Sequence, residues 1–441
     1  MRAMIALLRQ RNFGLLWFGG LISFVGDWIT LVALPIYIYN LTGSVAATGG
    51  TWIAAVLPSV VLQSLAGVYV DRWDRRQTMV VANLLTVPLV LGFLLVRTTE
   101  DLWLVYLLIA AKSVVGNFMG PAENALLPKL VDETHLPTAN ALNTLNNNLA
   151  RLIGPAIGGL VMASAGFGYA VVLDAISFVV AGLMIALIRA PRHVTRATPA
   201  PGAEAEAAIP PNVLREWLDG MRLVKNDRLI AMLFIFIGVS LISEGFFEVM
   251  ITPFVMDTLG GDARELGWMM TAQAVGGLAG GLVIGSLSAR VKPGRMVAVG
   301  LVLLGFVDLA VFNIPNLPVD LVLFMLAGPP VIALHTGVMT LLQTRSEDRY
   351  RGRLFGVFGM TASLTIVIGQ VIASVTGGVL GPRILMSAGG TLMCVTGVVA
   401  FVVLNRMAAG PEKAHAHEQP VLSPVGVAGV AEAADGSRDH M

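Results

Sequence analysis

Residues 45–76 read VAATGGTWIAAVLPSVVLQSLAGVYVDRWDRR. From Val45 to Val70 there is no charged side chain, and then Asp71, Arg72, Asp74, Arg75 and Arg76 arrive together. At 1.5 Å per residue a helix of this length spans the roughly 30 Å hydrocarbon core of a bilayer. A basic cluster at the end of such a run marks the side that stays in the cytoplasm. This one stretch therefore predicts a membrane-crossing helix and gives its direction.

The same pattern recurs along the chain. Apolar runs at 12–39, 45–70, 77–97, 101–123, 138–164, 167–189, 229–256, 265–289, 295–313, 318–343, 352–379 and 383–406 predict twelve transmembrane helices. Composition agrees: 56% of the 441 residues are hydrophobic and 13% are charged, against about 25% charged in soluble domains. So few charges exclude a soluble enzyme and a disordered chain. The net charge of +1 gives no electrostatic case for a nucleic-acid partner. The single cysteine, Cys394, excludes disulfides, CxxC redox chemistry and structural zinc. No Gly-Lys pair occurs, so no Walker A loop is present and ATP is not the direct energy source. No catalytic constellation, cofactor or metal is expected. The first run is too long for a signal-peptide core and lacks a small-residue cleavage site, so it is expected to stay attached.

Basic residues set the orientation. Of 29 Lys and Arg, 24 fall on the side of the N-terminus and three, Arg97, Arg264 and Arg383, on the opposite side. Lys112 and Arg151 lie within spans. Both termini are predicted to be cytoplasmic. Residues 191–227, rich in proline near their start, form the linker between two six-helix bundles, 1–190 and 228–406. After Pro210-Pro211, Asn212 can cap a helix whose Val213, Trp217, Met221 and Val224 form one apolar stripe, suited to the headgroup layer. Residues 407–441 read as a disordered cytoplasmic tail.

The two bundles repeat each other. Gly67-Val-Tyr-Val-Asp71-Arg72 corresponds to Gly285-Ser-Leu-Ser-Ala289-Arg290 at an offset of 218. Ala125-Leu-Leu corresponds to Thr340-Leu-Leu, and Gly154 to Gly369, both at 215. Duplicated six-helix units with a site at their interface characterise one large class of transporters.

The motifs point the same way. Gly67, Asp71, Arg72, Arg75 and Arg76 resemble the loop 2–3 signature of the major facilitator superfamily, with Asp74 where a glycine is usual. In that family the cluster latches the two halves on the cytoplasmic side. Gly154-Pro155-Ala-Ile-Gly158-Gly159 in the fifth span is similar to the helix 5 motif of its drug:proton antiporters. Lys112-Ser-Val-Val-Gly116 resembles the basic helix 4 motif, with lysine for arginine. Residues 121–131, Ala139-Asn-Ala-Leu142 and Arg349-Tyr-Arg351-Gly352-Arg353 resemble a bacterial branch of macrolide-efflux-type and enterobactin-exporter-type permeases. The resemblance implies an all-α membrane protein of two six-helix bundles in the bacterial inner membrane, working as a monomer among lipids.

Charges inside spans are expensive and mark function by default. Asp27 lies near the middle of the first span, and Glu244 and Glu248 share one face of the seventh. The resemblance places both spans on a central cavity, where these carboxylates, with Lys112 and Arg151, are candidates for proton coupling and substrate binding. Asp174 and Asp308 sit nearer the outer ends of their spans, where hydration is easy. The expectation is proton-coupled export of a small amphiphilic compound, a drug, antibiotic or siderophore-like metabolite. A uniporter or symporter of an endogenous metabolite, and a receptor without transport, stay open as alternatives.

Overall fold

Spans that are apolar all round have no solvent-facing stripe, so they bury one side against neighbours and give the other to lipid. The structure, a computed structural model, describes residues 2–189, 221–222, 224–225, 227–287, 290–345 and 348–409. The stripe from Val213 to Trp217, the tail beyond 409, the surroundings of Gly67 and the side chain of Asp71 lie outside what the structure describes. So do Ala289 and the side chains of Arg349, Arg351 and Arg353.

Every regular element is helical among the described residues. The N-terminal half comprises α1 (Arg2–Leu8), α2 (Arg11–Thr42), α3 (Val45–Arg72), α4 (Arg75–Gly92), α5 (Leu102–Gly116), α6 (Met119–Leu126), α7 (Leu136–Ala165) and α8 (Phe167–Ala186). The C-terminal half comprises α9 (Arg228–Pro253), α10 (Ala263–Leu287), α11 (Pro293–Asn313), α12 (Leu317–Arg345) and α13 (Asp348–Ala409). A π-helical turn, Phe254–Thr258, extends α9. Helix breaks follow local chemistry. Gly43, at φ 60°, closes α2 by donating to the Tyr39 carbonyl, and the Ser44 side chain caps α3. Asp74 caps α4 by accepting from the Gln77 amide at 2.8 Å.

Among the described residues, eleven helices are long and apolar enough to cross a membrane. Leu282, Val375 and Val379 are 74–89% exposed, which lipid rather than water suits. The last apolar stretch runs 51 residues, Leu354–Leu404, where the sequence predicts two spans. A straight helix would separate Gly369 from Gly389 by about 30 Å. Instead Gly369 packs on Ile242, and Ser243 donates to the Gly389 carbonyl at 3.2 Å. The chain therefore folds back between them, at Gly381, whose φ is 72° and whose neighbour is Pro382.

The repeat seen in sequence is visible in packing. A Cβ on Gly154 would meet the Val25 carbonyl and the Trp28 side chain of α2, and one on Gly369 would meet the Ile242 carbonyl of α9. Val25 and Ile242 are 217 apart, close to the sequence offsets.

Buried clusters show where the halves join. At the end bearing the N-terminus, Leu7, Phe13, Leu126, Leu142 and Ile185 form a cluster within the first half. Leu229, Leu233, Val297, Leu342 and Leu404 form a separate one within the second. Towards the opposite end a single cluster spans both halves, joining Val32, Ile36 and Trp52 to Val249, Met250 and Phe254. Backbones touch there too. A Cβ on Gly159 would lie 2.3 Å from the Ala263 carbonyl oxygen, and one on Gly267 2.4 Å from that of Pro155. Tyr39 donates to the Asp257 carboxylate across the same seam. Among the described residues the molecule is sealed at this end, and no cluster joins the halves at the other.

Candidate functional site

The first half gathers its buried charges at one point. α2 and α8 approach closely at Gly26, where a Cβ would lie 2.0 Å from Ser177 Oγ and 2.7 Å from Asp174 Oδ1. That approach sets Asp27 and Thr30 of α2 beside Asp174 of α8, and α5 adds Lys112. Lys112 Nζ is 2.8 Å from Asp27 Oδ1 and 3.2 Å from Asp174 Oδ2. Thr30 Oγ1 donates to the same Asp174 oxygen at 2.6 Å. The ammonium also stands 5.2 Å above the Phe178 ring. One cation between two carboxylates leaves a formal excess of one negative charge. The three groups differ in access: the Asp174 side chain is 0% exposed, Lys112 21% and Asp27 40%. Asp27 and Lys112 line a cavity of about 330 Å³ whose walls are mostly apolar, including Leu31, Trp52 and Ile109.

The second half holds a different arrangement. Glu244 and Glu248 of α9 and Asp308 of α11 line a cavity of about 440 Å³, with His335 of α12. Gln370 of α13, fully buried, donates to Glu248 Oε2 at 2.7 Å. Arg151 reaches this cavity from α7 of the other half, its Nη2 donating to Gln273 Oε1 at 2.9 Å. Glu244 lies within electrostatic range of Arg151, Glu248 and Asp308. Phe247, Phe312 and Phe324 form an aromatic wall, with the Phe247–Phe324 centroids 5.9 Å apart.

The structure thus divides residues that the sequence placed around a single cavity. Asp27 and Lys112 come together in one cavity, and Glu244, Glu248 and Arg151 in the other. Asp174 and Asp308 also belong to these sites. Depth along a span decides how far a group is from the bilayer surface, but neighbouring helices decide whether it meets water. Asp174 is only seven residues into α8 and is nonetheless covered completely.

The fifth-span motif divides its work. Gly154 and Gly158 pack against α2 of their own half, while Pro155 and Gly159 meet α10 of the other. In the first turn of α4, Arg76 donates to the Ile185 carbonyl at 3.3 Å and to that of Ala186, closing the C-terminal end of α8. Thr30, Gln273, Gln370 and the Tyr39–Asp257 pair were not signalled by the sequence, because uncharged polar residues and helix-end acids are common in any span.

A sequence profile described as transmembrane secretion effector matches residues 2–427. The chain belongs to that family. Macrolide efflux protein A of Streptococcus pyogenes is 23% identical over 405 residues, covering 89% of this chain and 96% of that protein. The multidrug efflux pump Tap of Mycolicibacterium fortuitum is 27% identical over 413 residues, covering 89% and 95%. Among solved structures, a bacterial homologue of the iron transporter ferroportin in its inward-facing state aligns with a TM-score of 0.66. It is 16% identical and the match covers 90% of this chain and 99% of that one. This secretion-effector chain is therefore a multi-pass membrane transporter of the major facilitator type, at home in a bacterial inner membrane, and the two relatives named here are efflux proteins.

Proposed function

We propose that the chain exports a small amphiphilic compound, of the drug, antibiotic or siderophore-like kind, in exchange for protons by alternating access. The observation that carries this reading is the Asp27–Lys112–Asp174 cluster, buried in one half and open to a cavity through Asp27. A proton carrier needs a group that loads from one side and releases to the other, and a carboxylate sharing a lysine with a second carboxylate is suited to that. The fold-back at Gly381 supports twelve crossings, and the excess of basic residues at the N-terminal end supports cytoplasmic termini. With that orientation the sealed end faces outward and the chain is inward-facing. Glycine-lined contacts at the outer seam and the arginine cluster after α3 are the surfaces that would alternate as the halves rock.

Energetics permit the coupling. A potential of 100 mV supplies about 2.3 kcal/mol per charge, and one pH unit about 1.4 kcal/mol. Together they sustain roughly a 500-fold gradient of a neutral compound per proton. The test uses everted vesicles carrying the full chain, energised to form a proton gradient and challenged with macrolides, tetracyclines, dyes and siderophores. One compound class should collapse the gradient, and Asp27→Asn should abolish the effect. Normal coupled export by Asp27→Asn, Glu244→Gln and Glu248→Gln alike would defeat the proton assignment.

A further inference from the structure

The two cavities occupy related positions yet carry unlike charge. Asp27 and Glu244 are 217 apart, the same offset that pairs Val25 with Ile242 in the packing of α2 and α9. In the first half Asp27 has Lys112 at 2.8 Å. The offset of 215 that relates the fourth and tenth spans carries Lys112 onto Ala327, which lines the second cavity. The second half thus has alanine where the first has the lysine, carries a carboxylate at the matching position, and also holds Glu248 and Asp308.

Three carboxylates there face one arginine. The Arg151 guanidinium donates to a neutral partner, Gln273, and among the described residues no ion pair joins it to an acid. Gln370 supplies one hydrogen bond to Glu248, and its own Oε1 is buried without a partner. By formal count, with every carboxylate ionised, the cavity carries three negative charges against one positive. Its other walls are aromatic and aliphatic, with the Phe247 ring in contact with those of both Phe312 and Phe324. About 440 Å³ lies within the range of roughly 300–1,000 Å³ usual for small-molecule pockets. Negative charge set among aromatic faces is the complement of an organic cation with apolar arms.

We propose that the cavity of the C-terminal half is the cargo site and that it takes amphiphilic organic cations, anchored by Glu244 and Asp308 against the phenylalanine wall. This rests on the transport reading above and names its substrate class. The site separates cargo from the Asp27–Lys112–Asp174 cluster, so the two charges that exchange would be held in different halves.

The probe is a pair of ions of one shape and opposite charge, tetraphenylphosphonium and tetraphenylborate, measured by equilibrium binding to the purified full chain in nanodiscs. Tetraphenylphosphonium should bind at least 100-fold more tightly than tetraphenylborate. Glu244→Gln and Asp308→Asn should each weaken it tenfold or more, and Glu244→Asp, which keeps the charge, should recover most of the loss. Each variant is first required to elute as a single species with an unchanged melting temperature, and any that fails this is replaced by Phe324→Ala, which should also weaken tetraphenylphosphonium binding. Equal binding of both ions, or tetraphenylphosphonium binding untouched by the acidic substitutions, overturns the cation assignment and leaves transport standing. Absence of transport for every compound in the vesicle panel would instead remove the reading beneath it.

Discussion

Replacing Lys112 by methionine removes the only cation bonded to Asp27 and Asp174 among the described residues, while keeping most of the side chain's volume. The two bonds are unequal. Asp27 is 40% exposed to the cavity, so its pair with Lys112 contributes at most about 1 kcal/mol. Asp174 is fully covered, and without the ammonium only the Thr30 hydroxyl, at 2.6 Å, is left on its carboxylate. Removing one partner of a buried pair costs about 3–5 kcal/mol. For a bundle of this size each kcal/mol lowers the melting temperature by about 2–4 °C, so a loss of about 6–12 °C is expected from the lower figure. Tryptophan fluorescence reads this half directly, because Trp17, Trp28, Trp52, Trp73 and Trp103 all lie within it. The decisive measurement is a double-mutant cycle. Asp174→Asn alone leaves the 2.8 Å pair of Lys112 with Asp27 intact and should cost about 1 kcal/mol. The double variant has no unpaired buried charge and should be more stable than Lys112→Met by about 2 kcal/mol. Additive losses, or a melting temperature for Lys112→Met within 2 °C of wild type (about the effect of 1 kcal/mol), would show that Lys112 and Asp174 do not form the pair.

Three further perturbations bear on packing and the outer seam. Gly26→Ala places a methyl 2.0 Å from Ser177 Oγ and should destabilise the first half by about 1–3 kcal/mol, with relief by Ser177→Gly; a neutral Gly26→Ala would remove the reason for glycine there. Gly159→Val cannot keep its backbone against the Ala263 carbonyl, 2.3 Å from its Cβ, so the halves should part at the sealed end. In a Cys394→Ser background with Tyr39→Cys and Asp257→Cys, a short bismaleimide should link the seam readily, and adding Gly159→Val should suppress that link several-fold. Tyr39→Phe deletes the hydrogen bond to Asp257 and, at about 1 kcal/mol, should raise maleimide labelling of a cysteine placed at Trp52 about fivefold; unchanged labelling would mean that the bond does not hold the seam.

The spans were legible because burial in lipid leaves little choice of residue: the run from Val45 to Val70 and its closing arginines state both structure and direction. Glycines at helix crossings were legible as motif but not as geometry, since Gly158 and Gly159 are adjacent in sequence yet serve opposite halves. The last two spans follow each other without an intervening loop, because a single residue, Gly381, turns the chain. The sequence names candidate residues but not their division between two cavities. Intramembrane charge flagged Asp27, Glu244, Glu248, Lys112 and Arg151, but sequence carries no sign of which neighbour each meets. Asp174 shows why. Its burial depends on Gly26, whose missing side chain lets α8 close over it from a distance of 148 residues along the chain.

That same contact shows how duplicated halves can come to differ in chemistry while keeping one shape. Where α2 meets α8, the gap is filled by Asp174 against Gly26; where α9 meets the returning arm of α13, it is filled by Ser243 against Gly389. The offsets pair Gly26 with Ser243, at 217, and Asp174 with Gly389, at 215. The small residue has changed sides, and with it the acid has gone. In the first half this acid pairs with Lys112 in a compact charged cluster whose one excess negative charge faces the cavity through Asp27. In the second half Ala327 and Gly389 stand at the matching positions, and Glu244 finds its charged neighbours in Glu248, Asp308 and an arginine lent by the other half. Arg151 reaches Gln273 only while α7 and α10 are packed as they are here, with Gly159 on Ala263 and Gly267 on Pro155. Opening the outer seam would withdraw that arginine from the second cavity and make it more negative. Under the proposed exchange this weighs against release of a cation to the outside unless the acids take up protons in that state. Arg151→Leu should therefore tighten tetraphenylphosphonium binding in the inward-facing protein, by roughly tenfold if the guanidinium contributes about 1.4 kcal/mol of repulsion. A weaker or unchanged affinity would mean that Arg151 helps to build the site rather than opposing its charge.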